Sequence, residues 1–131
     1  MSTRRQLASD SQIANPLVQA SLLGEAVDGA DLAILVSDED GRCIAVNKQA
    51  CALLGYTREE FLKLELTEFV PDTDPRECYR EVHTNGRSEG VADAIRSDGT
   101  PVSMRYWSTP TRVAQMRLTL SLGRPETVAA A

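Results

Sequence analysis

The last third of the chain has the clearest pattern of hydrophobic and polar positions. In the segment VAQMRLTLSL, residues 113–122, apolar and polar residues alternate, which is typical of an antiparallel strand with one buried face. One predicted face carries Ala114, Met116, Leu118, Leu120 and Leu122, and the other carries Gln115, Arg117, Thr119 and Ser121. We expect the leucine face to point into the protein, because burial of large aliphatic side chains is favourable.

Turn signals divide the rest of the chain into further strands. Near the N-terminus, the apolar runs LAILVS (32–37) and RCIAV (42–46) flank the acidic turn DEDG, which predicts a β-hairpin. The SDG sequence (97–99) predicts a second hairpin between two segments of strand period. A further turn is expected at TPTR (109–112), just before the alternating strand. Together these signals predict five strands.

The middle of the chain carries helix signals. Asn47 is a good N-cap for the segment KQACALLG, since its side chain can accept a hydrogen bond from a free N–H of the first turn. Thr57 and Glu60 have the spacing of a capping box. A short buried helical segment is expected within residues 62–70, and an Asp-Pro pair starts a helix over residues 75–85. We therefore predict several short helices between the second and third strands.

Apolar residues also recur at helical spacing before the first strand, which predicts an amphipathic helix over residues 13–30. Residues 1–12 and 124–131 lack any such pattern and are expected to be disordered tails. The folded domain is therefore expected to span residues 31–123. The pattern leaves two roles open for the N-terminal helix, which either covers its own domain or pairs with another subunit.

The order of the predicted elements indicates an α+β fold, a five-stranded antiparallel sheet with short helices packed on one face. The space between sheet and helices is either filled by side chains or leaves room for a small ligand. The residues expected to face this space are Leu66, Phe69, Tyr79, Val82, Met104, Leu118 and Leu120.

Composition and charge exclude several classes of function. The net charge of −5 argues against binding to nucleic-acid backbones or anionic membranes, which need a basic surface. No apolar run approaches the roughly 20 residues that span a bilayer, and the N-terminus lacks the apolar core of a secretion signal. The three cysteines are an odd number at wide spacing, which argues against a disulfide framework. We expect a cytoplasmic protein with neither a nucleic-acid nor a membrane partner.

The sequence offers no recognisable catalytic or metal-binding motif. Cys78 and His83 are five residues apart on a predicted helix and therefore lie on poorly aligned faces, which argues against a catalytic dyad or a zinc site. The acidic runs 38–40 and 72–74 lack the ligand pattern of a calcium loop. We expect no enzymatic activity and no metal.

These segments also resemble the PAS domain family. The resemblance covers roughly residues 30–122, and it is carried by AILVSDEDGRCIAVNKQACALLGYTREEFL, EFVPDTDP, the RSDGTPV hairpin and the alternating strand. The asparagine followed by ALLGYTREEFL is the most specific part. The resemblance implies a sensory and dimerisation module that passes a ligand, redox or light signal to an effector domain or protein.

Two cofactor-bearing branches of this family match the chain poorly. Flavin photoreceptors need a cysteine where LTEFV (66–70) stands, and this segment has no thiol. Haem sensors place an axial histidine three residues before an aromatic residue. Here Arg76 precedes Tyr79 at that spacing, and His83 lies a turn later. Flavin and haem are thus disfavoured and a small apolar ligand is expected, with a cofactor-based sensor and a ligand-free interaction scaffold as the alternatives.

The resemblance and the apolar surface together predict a homodimer. The N-terminal helix has more apolar surface than a narrow stripe requires, and alternation places Trp107 on the outer face of the sheet. The residues expected in this interface are Leu17, Val18, Leu22, Leu23 and Trp107.

Overall fold

A computed structural model describes residues 15–126 of the chain. We number its elements in chain order: helix α1 (Pro16–Asp28), strands β1 (Ala33–Ser37) and β2 (Cys43–Val46), helices α2 (Lys48–Leu54) and α3 (Arg58–Phe61), a 3₁₀ helix (Leu66–Glu68), helix α4 (Pro75–Asn85), and strands β3 (Ser88–Ile95), β4 (Pro101–Val113) and β5 (Met116–Pro125). None of the helices within these residues has the length and apolar composition needed to cross a membrane.

The five strands form one antiparallel sheet in the order β2-β1-β5-β4-β3. Strand β5 pairs with β1 on one side and with β4 on the other, so the N-terminal hairpin and the C-terminal strands join at β5. The helices that follow β2 pack over one face of this sheet, which we call the inner face. The predicted α+β fold with a five-stranded antiparallel sheet is confirmed.

The predicted helix starts are confirmed by their hydrogen bonds. The Asn47 side chain accepts a bond from the Ala50 N–H and caps α2, while Thr57 and Glu60 form a complete capping box at α3. At α4 the Asp74 carboxylate accepts from the N–H groups of the first turn, and proline occupies a position where no N–H is needed. Short-range chemistry therefore fixes where these helices begin.

The turn between β1 and β2 depends on Gly41. Its φ is +84°, a conformation that glycine adopts without steric cost. A Cβ atom at this position would lie 2.6 Å from the Cβ atom of Pro75, closer than two carbon atoms can approach. Glycine thus lets the β1–β2 turn lie directly against the start of α4, which closes one side of the space between helices and sheet.

The core lies between the inner face and helices α2 and α3. Phe61 is fully buried, and its ring makes edge contacts with the rings of Tyr56 and Phe69 at centroid distances of 5.2 and 5.4 Å. The other buried members of this cluster are Cys43, Val46, Ala50, Leu54, Ala94 and Met104.

The turn predicted at residues 109–112 is wrong. Strand β4 continues to Val113, and the chain reverses at residues 114–115, where Ala114 has a φ of +55°. Pro110 is tolerated within this strand because β3 pairs with β4 only as far as Ser108. Pro110 therefore has a neighbouring strand, β5, on one side only. Its missing N–H leaves no carbonyl group of the sheet without a hydrogen-bond donor.

Strand β5 also runs further than the sequence predicted. It extends to Pro125, and the Arg105 guanidinium bonds the Glu126 carboxylate at 2.8 Å just beyond it. Residues 124–125 therefore belong to the sheet rather than to the predicted tail. The remainder of that tail, 127–131, and the predicted tail 1–12 lie outside the described residues.

The predicted N-terminal helix is present over a shorter range, Pro16–Asp28, with Asn15 as its N-cap. None of its residues is buried, so the helix does not pack an apolar stripe against its own domain. The predicted start at residue 13 lies outside the described residues.

Among the described residues, hydrogen bonds join α1 to the rest of the domain only at its C-terminal end. The side-chain amide of Asn47 donates to the Val27 carbonyl at 2.8 Å, and the Asp28 carboxylate accepts from the Lys48 N–H and from the Arg58 guanidinium. Partial burial raises the pKa of Asp28, but the charge and hydrogen bond of Arg58 outweigh it and hold that pKa below its usual value. The helix is thus tied at one end and projects from the domain.

Candidate ligand cavity

A cavity of about 140 Å³, partly open to solvent, lies between the inner face of the sheet and the helices. Its wall is mostly apolar and comes from β1, α2, α3, the 3₁₀ helix, α4 and all three C-terminal strands. An apolar cavity of roughly 150 Å³ is large enough to bind benzene. This cavity therefore has the size and lining for a small molecule of about one ring.

Five of the seven residues predicted to face a ligand line this cavity, namely Leu66, Phe69, Tyr79, Val82 and Met104. Leu118 and Leu120 do not line it. Whether any of the five contacts a ligand stays a prediction.

Leu118 and Leu120 do not line the cavity because the two faces of β5 at these residues are the reverse of those predicted. Thr119 pairs with Ser37 and Ser121 pairs with Leu35 across the β1–β5 ladder. Residues that pair directly in an antiparallel ladder point to the same face, so these polar residues lie on the inner face. Leu118 and Leu120 point the opposite way, although Leu122 of the same predicted face does line the cavity. The prediction that Leu118 and Leu120 face the cavity is wrong.

The inner face instead presents a group of hydroxyls, which we call the hydroxyl patch: Ser37, Ser88, Ser108, Thr119 and Ser121. Ser88 pairs with Ser108, and Ser108 pairs with Ser121, so three serines stand side by side on three adjacent strands. The sequence pattern did not predict this patch. In the sequence, each of these residues looks like an ordinary polar position of a strand. The register of the sheet brings their side chains together.

Three hydroxyls of the patch differ in how they are bonded. The Oγ atoms of Ser108 and Ser121 lie 2.8 Å apart and form a hydrogen bond. Thr119 is only 6% exposed, and its Oγ1 atom is buried without a hydrogen-bond partner among the described residues. Buried hydroxyls are normally paired, so Thr119 marks a place where a partner is missing.

The cavity wall carries almost no charge. Asp38 is the one charged residue among the described residues that line it, and its Oδ1 atom already accepts the N–H groups of Asp40 and Arg42 in the β1–β2 turn. No lysine, arginine or histidine of the described part of the chain lines the cavity. Nor do three His, Cys, Asp or Glu side chains come together within residues 15–126 as metal ligands would.

The cysteines are free thiols that burial keeps protonated. Burial, with the nearby charges of Asp38 and Glu68, raises the pKa of Cys43 to about 12. Burial likewise raises the pKa of Cys78, which lines the cavity. Since the thiolate is the reactive form, neither residue has the properties of a nucleophile at neutral pH.

His83 lies in the last turn of α4 and is engaged by its neighbours. Its ring lies against that of Tyr79 at a centroid distance of 4.1 Å, and its Nε2 atom lies 3.1 Å from the Leu118 carbonyl oxygen. Because a carbonyl oxygen can only accept, Nε2 carries the proton of this bond. That nitrogen is therefore not free to bind iron.

The residues predicted to form a dimer interface lie outside the cavity. Leu17, Val18, Leu22 and Leu23 are exposed on α1, with Leu17 78% and Leu23 66% exposed. Trp107 is half-buried and does not line the cavity, and its ring lies 5.5 Å from the guanidinium carbon of Arg124. The structure contains no second copy of the chain, so their role in an interface stays a prediction.

Comparison with known proteins gives one family and many structural neighbours. The family model described as "PAS domain" matches residues 31–122. The structure is similar to a PAS domain from a two-component sensor histidine kinase, with a TM-score of 0.74, 15% identity, and coverage of 83% of this chain and 97% of that one. It is also similar to a domain of a sensory box sensor histidine kinase/response regulator from Geobacter sulfurreducens, with a TM-score of 0.74, 18% identity, and coverage of 86% and 98%.

A third similar structure is the PAS domain of an HTR-like protein from Haloarcula marismortui, with a TM-score of 0.71, 23% identity, and coverage of 82% of this chain and 97% of that one. At these identities the structural matches establish the fold. A comparison with curated protein sequences found no match.

Proposed function

The chain belongs to the PAS domain family of sensory modules, and from this we propose that it binds a small, mostly apolar ligand and relays the signal to an effector domain or protein. The observation that carries the proposal is the cavity of about 140 Å³ between the helices and the inner face. A domain that used its core only as a scaffold would gain stability by filling this space, since unfilled volume costs packing energy. The open volume thus favours a ligand-binding module over a ligand-free scaffold.

A flavin or haem sensor is the alternative, and three observations disfavour it. The cavity is close in size to one aromatic ring, whereas flavin has three fused rings and haem a macrocycle. The Nε2 atom of His83 is bonded to a carbonyl. Cys78 lines the cavity but has a raised pKa, and it stands on α4 rather than in the 66–70 segment.

Filling the cavity tests the proposal. Ala92 lines the cavity and is half-buried, so we expect Ala92→Phe to occupy the space, leave the fold intact and abolish uptake of small aromatic molecules. The neighbouring residue Val91 is 49% exposed and does not line this cavity, which makes Val91→Phe the matched control. Native mass spectrometry of freshly purified protein, followed by ligand-observed NMR with benzene derivatives, measures uptake.

We expect the wild-type protein and Val91→Phe to bind, and Ala92→Phe to fail. Circular dichroism of all three proteins confirms that they are folded. A folded Ala92→Phe protein that binds as well as the wild type would place any ligand elsewhere and contradict the proposal.

Helix α1 is the element that we propose to carry the signal. Its end is bonded to the Asn47 side chain, which also bonds the backbone of β1 and α2. Strand β1 and helix α2 contribute Ala33, Leu35, Ala50 and Leu54 to the cavity wall. If ligand binding shifted β1 or α2, the Asn47 side chain would therefore transmit the shift directly to α1, which projects from the domain.

We further propose that the protein is a homodimer formed through α1 and the outer face of the sheet. The supporting observation is the exposure of large apolar side chains on α1, which monomers seldom leave in contiguous patches. A two-fold axis would bury this surface against its own copy.

Charge on α1 tests the dimer. Leu22 and Leu23 are exposed, so replacing both by glutamate should not destabilise the monomer, but it should place charges in the proposed interface. We expect light scattering to give a dimer mass for the wild type and a monomer mass for Leu22→Glu/Leu23→Glu. Ala20→Glu is the control and should stay dimeric, because Ala20 is exposed on the side of the same helix farthest from Val18 and Leu22. A monomeric wild type, or a dimeric double variant, would contradict this interface.

A further inference from the structure

We propose that the ligand is a neutral molecule of about one ring, bound with a carbonyl or similar acceptor oxygen against Thr119 of the hydroxyl patch. This inference rests on the proposed function, because it names the class of molecule that the cavity takes. It adds one polar contact, at Thr119, to the proposed apolar ligand, and it excludes a charged ligand.

Thr119 provides the first argument. The residue lines the cavity, is 6% exposed, and has a buried Oγ1 atom with no hydrogen-bond partner among the described residues. A hydroxyl removed from water without a partner is unfavourable, and it becomes favourable once a ligand supplies an acceptor. The missing partner therefore points to a polar atom on the ligand at this position.

The neighbouring serines support a ligand that accepts rather than donates. Ser108 and Ser121 bond each other through their Oγ atoms, so one O–H is used within the pair and the second is left to donate elsewhere. Together with the O–H of Thr119, two residues from Ser121 on the same face of β5, two donors thus lie on one side of a mostly apolar cavity. A carbonyl oxygen has two lone pairs and can accept from both.

The electrostatics of the wall argue that the ligand is neutral. A carboxylate would also accept from hydroxyls, but no lysine, arginine or histidine of the described residues lines the cavity. The charged residue that does line it is Asp38, which would repel an anion. A buried anion without a cationic partner loses its hydration without compensation.

Three probe molecules of nearly the same shape test separately whether the ligand needs an acceptor oxygen and whether it must be neutral. Acetophenone carries a neutral carbonyl, α-methylstyrene replaces the carbonyl oxygen by a CH₂ group, and benzoate carries a charge. We expect Thr119→Val to weaken acetophenone binding by roughly three- to tenfold, the effect of losing one neutral hydrogen bond. The same substitution should leave α-methylstyrene binding unchanged or slightly tighter, because valine has the shape of threonine without its hydroxyl. Benzoate should bind the wild type at least about tenfold more weakly than acetophenone.

A control substitution and a stability measurement complete the experiment. Thr109 lies on β4 and does not line the cavity, so Thr109→Val should change none of the affinities. Thr119→Val removes a hydroxyl that has no partner within residues 15–126, so the Tm of the ligand-free protein should stay the same or rise. A fall in Tm would mean that the hydroxyl is already bonded, and it would overturn the assignment.

The remaining outcomes separate the inference from the proposed function. Equal weakening of acetophenone and α-methylstyrene by Thr119→Val, or no weakening of either, would overturn the contact at Thr119 while leaving ligand binding intact. Benzoate binding as tightly as acetophenone would overturn the neutral class. If the folded wild-type protein bound none of the three probes, the ligand-binding function itself would be wrong and this inference with it.

Discussion

Replacing Asn47 by alanine is expected to lower the free energy of unfolding by about 3 kcal/mol. Asn47 is 2% exposed, and its side chain makes four hydrogen bonds. Its oxygen accepts from the N–H groups of Ile34 and Ala50, and its nitrogen donates to the carbonyls of Val27 and Leu32. Alanine would leave the buried N–H groups of Ile34 and Ala50 without this acceptor, which costs more than the loss of the bonds alone.

Urea unfolding followed by circular dichroism measures this effect. Asn85 is exposed at the end of α4, so Asn85→Ala is the control and should change stability by less than about 0.5 kcal/mol. If Asn47→Ala cost no more than Asn85→Ala, the hydrogen bonds of Asn47 would not stabilise the folded protein.

Aspartate at the same position separates the two halves of the Asn47 network. It keeps oxygen atoms that can accept from β1 and α2 but removes the NH₂ group that donates to α1 and to the segment before β1. We expect Asn47→Asp to speed hydrogen exchange at the end of α1 more than in β5. Uniform exchange changes across the domain would contradict the idea that this side chain specifically holds α1.

Replacing Phe61 by alanine is expected to lower the free energy of unfolding by about 4 kcal/mol. The Phe61 ring is fully buried and contacts the rings of Tyr56 and Phe69. Alanine would remove both contacts and join the space left behind to the cavity, which Phe61 lines. The variant should therefore also take up larger aromatic molecules than the wild type does.

The neighbouring residue provides the control. Leu62 is 48% exposed, so Leu62→Ala should cost less than about 1 kcal/mol. Chemical denaturation of both variants gives the two values. Equal losses of stability would mean that the aromatic cluster is not the centre of the core.

The starts of α2, α3 and α4 and most turns could be predicted from the sequence, because a few neighbouring residues decide them. Asn47 bonds an N–H three residues away, Thr57 and Glu60 cap each other, and Asp74 bonds the N–H groups of the turn that it starts. The conformation at Gly41 likewise depends on the residue itself. The order of these elements then restricts the fold to one sheet with helices on one face.

The face of β5 that forms the cavity wall could not be predicted in this way. Strict alternation shows that a strand has two different faces, but it does not show which one the helices cover. We assigned the leucines inward because burial favours them, yet the register pairs Thr119 with Ser37 and places both on the wall. Leu118 is buried nonetheless, so it satisfies the hydrophobic effect without lining the cavity.

Most of the elements, the fold and five of the cavity residues could be read from the sequence alone, since they follow from contacts between near neighbours and from apolar periodicity. The hydroxyl patch depends on the tertiary structure, because strand pairing brings Ser88, Ser108 and Ser121 together from three separate segments. The tertiary structure also decided that Asn47 bonds Val27, twenty residues away, as well as its own helix. A side chain that reaches distant backbone leaves no periodic signal along the chain, and pairing between strands depends on the whole sheet.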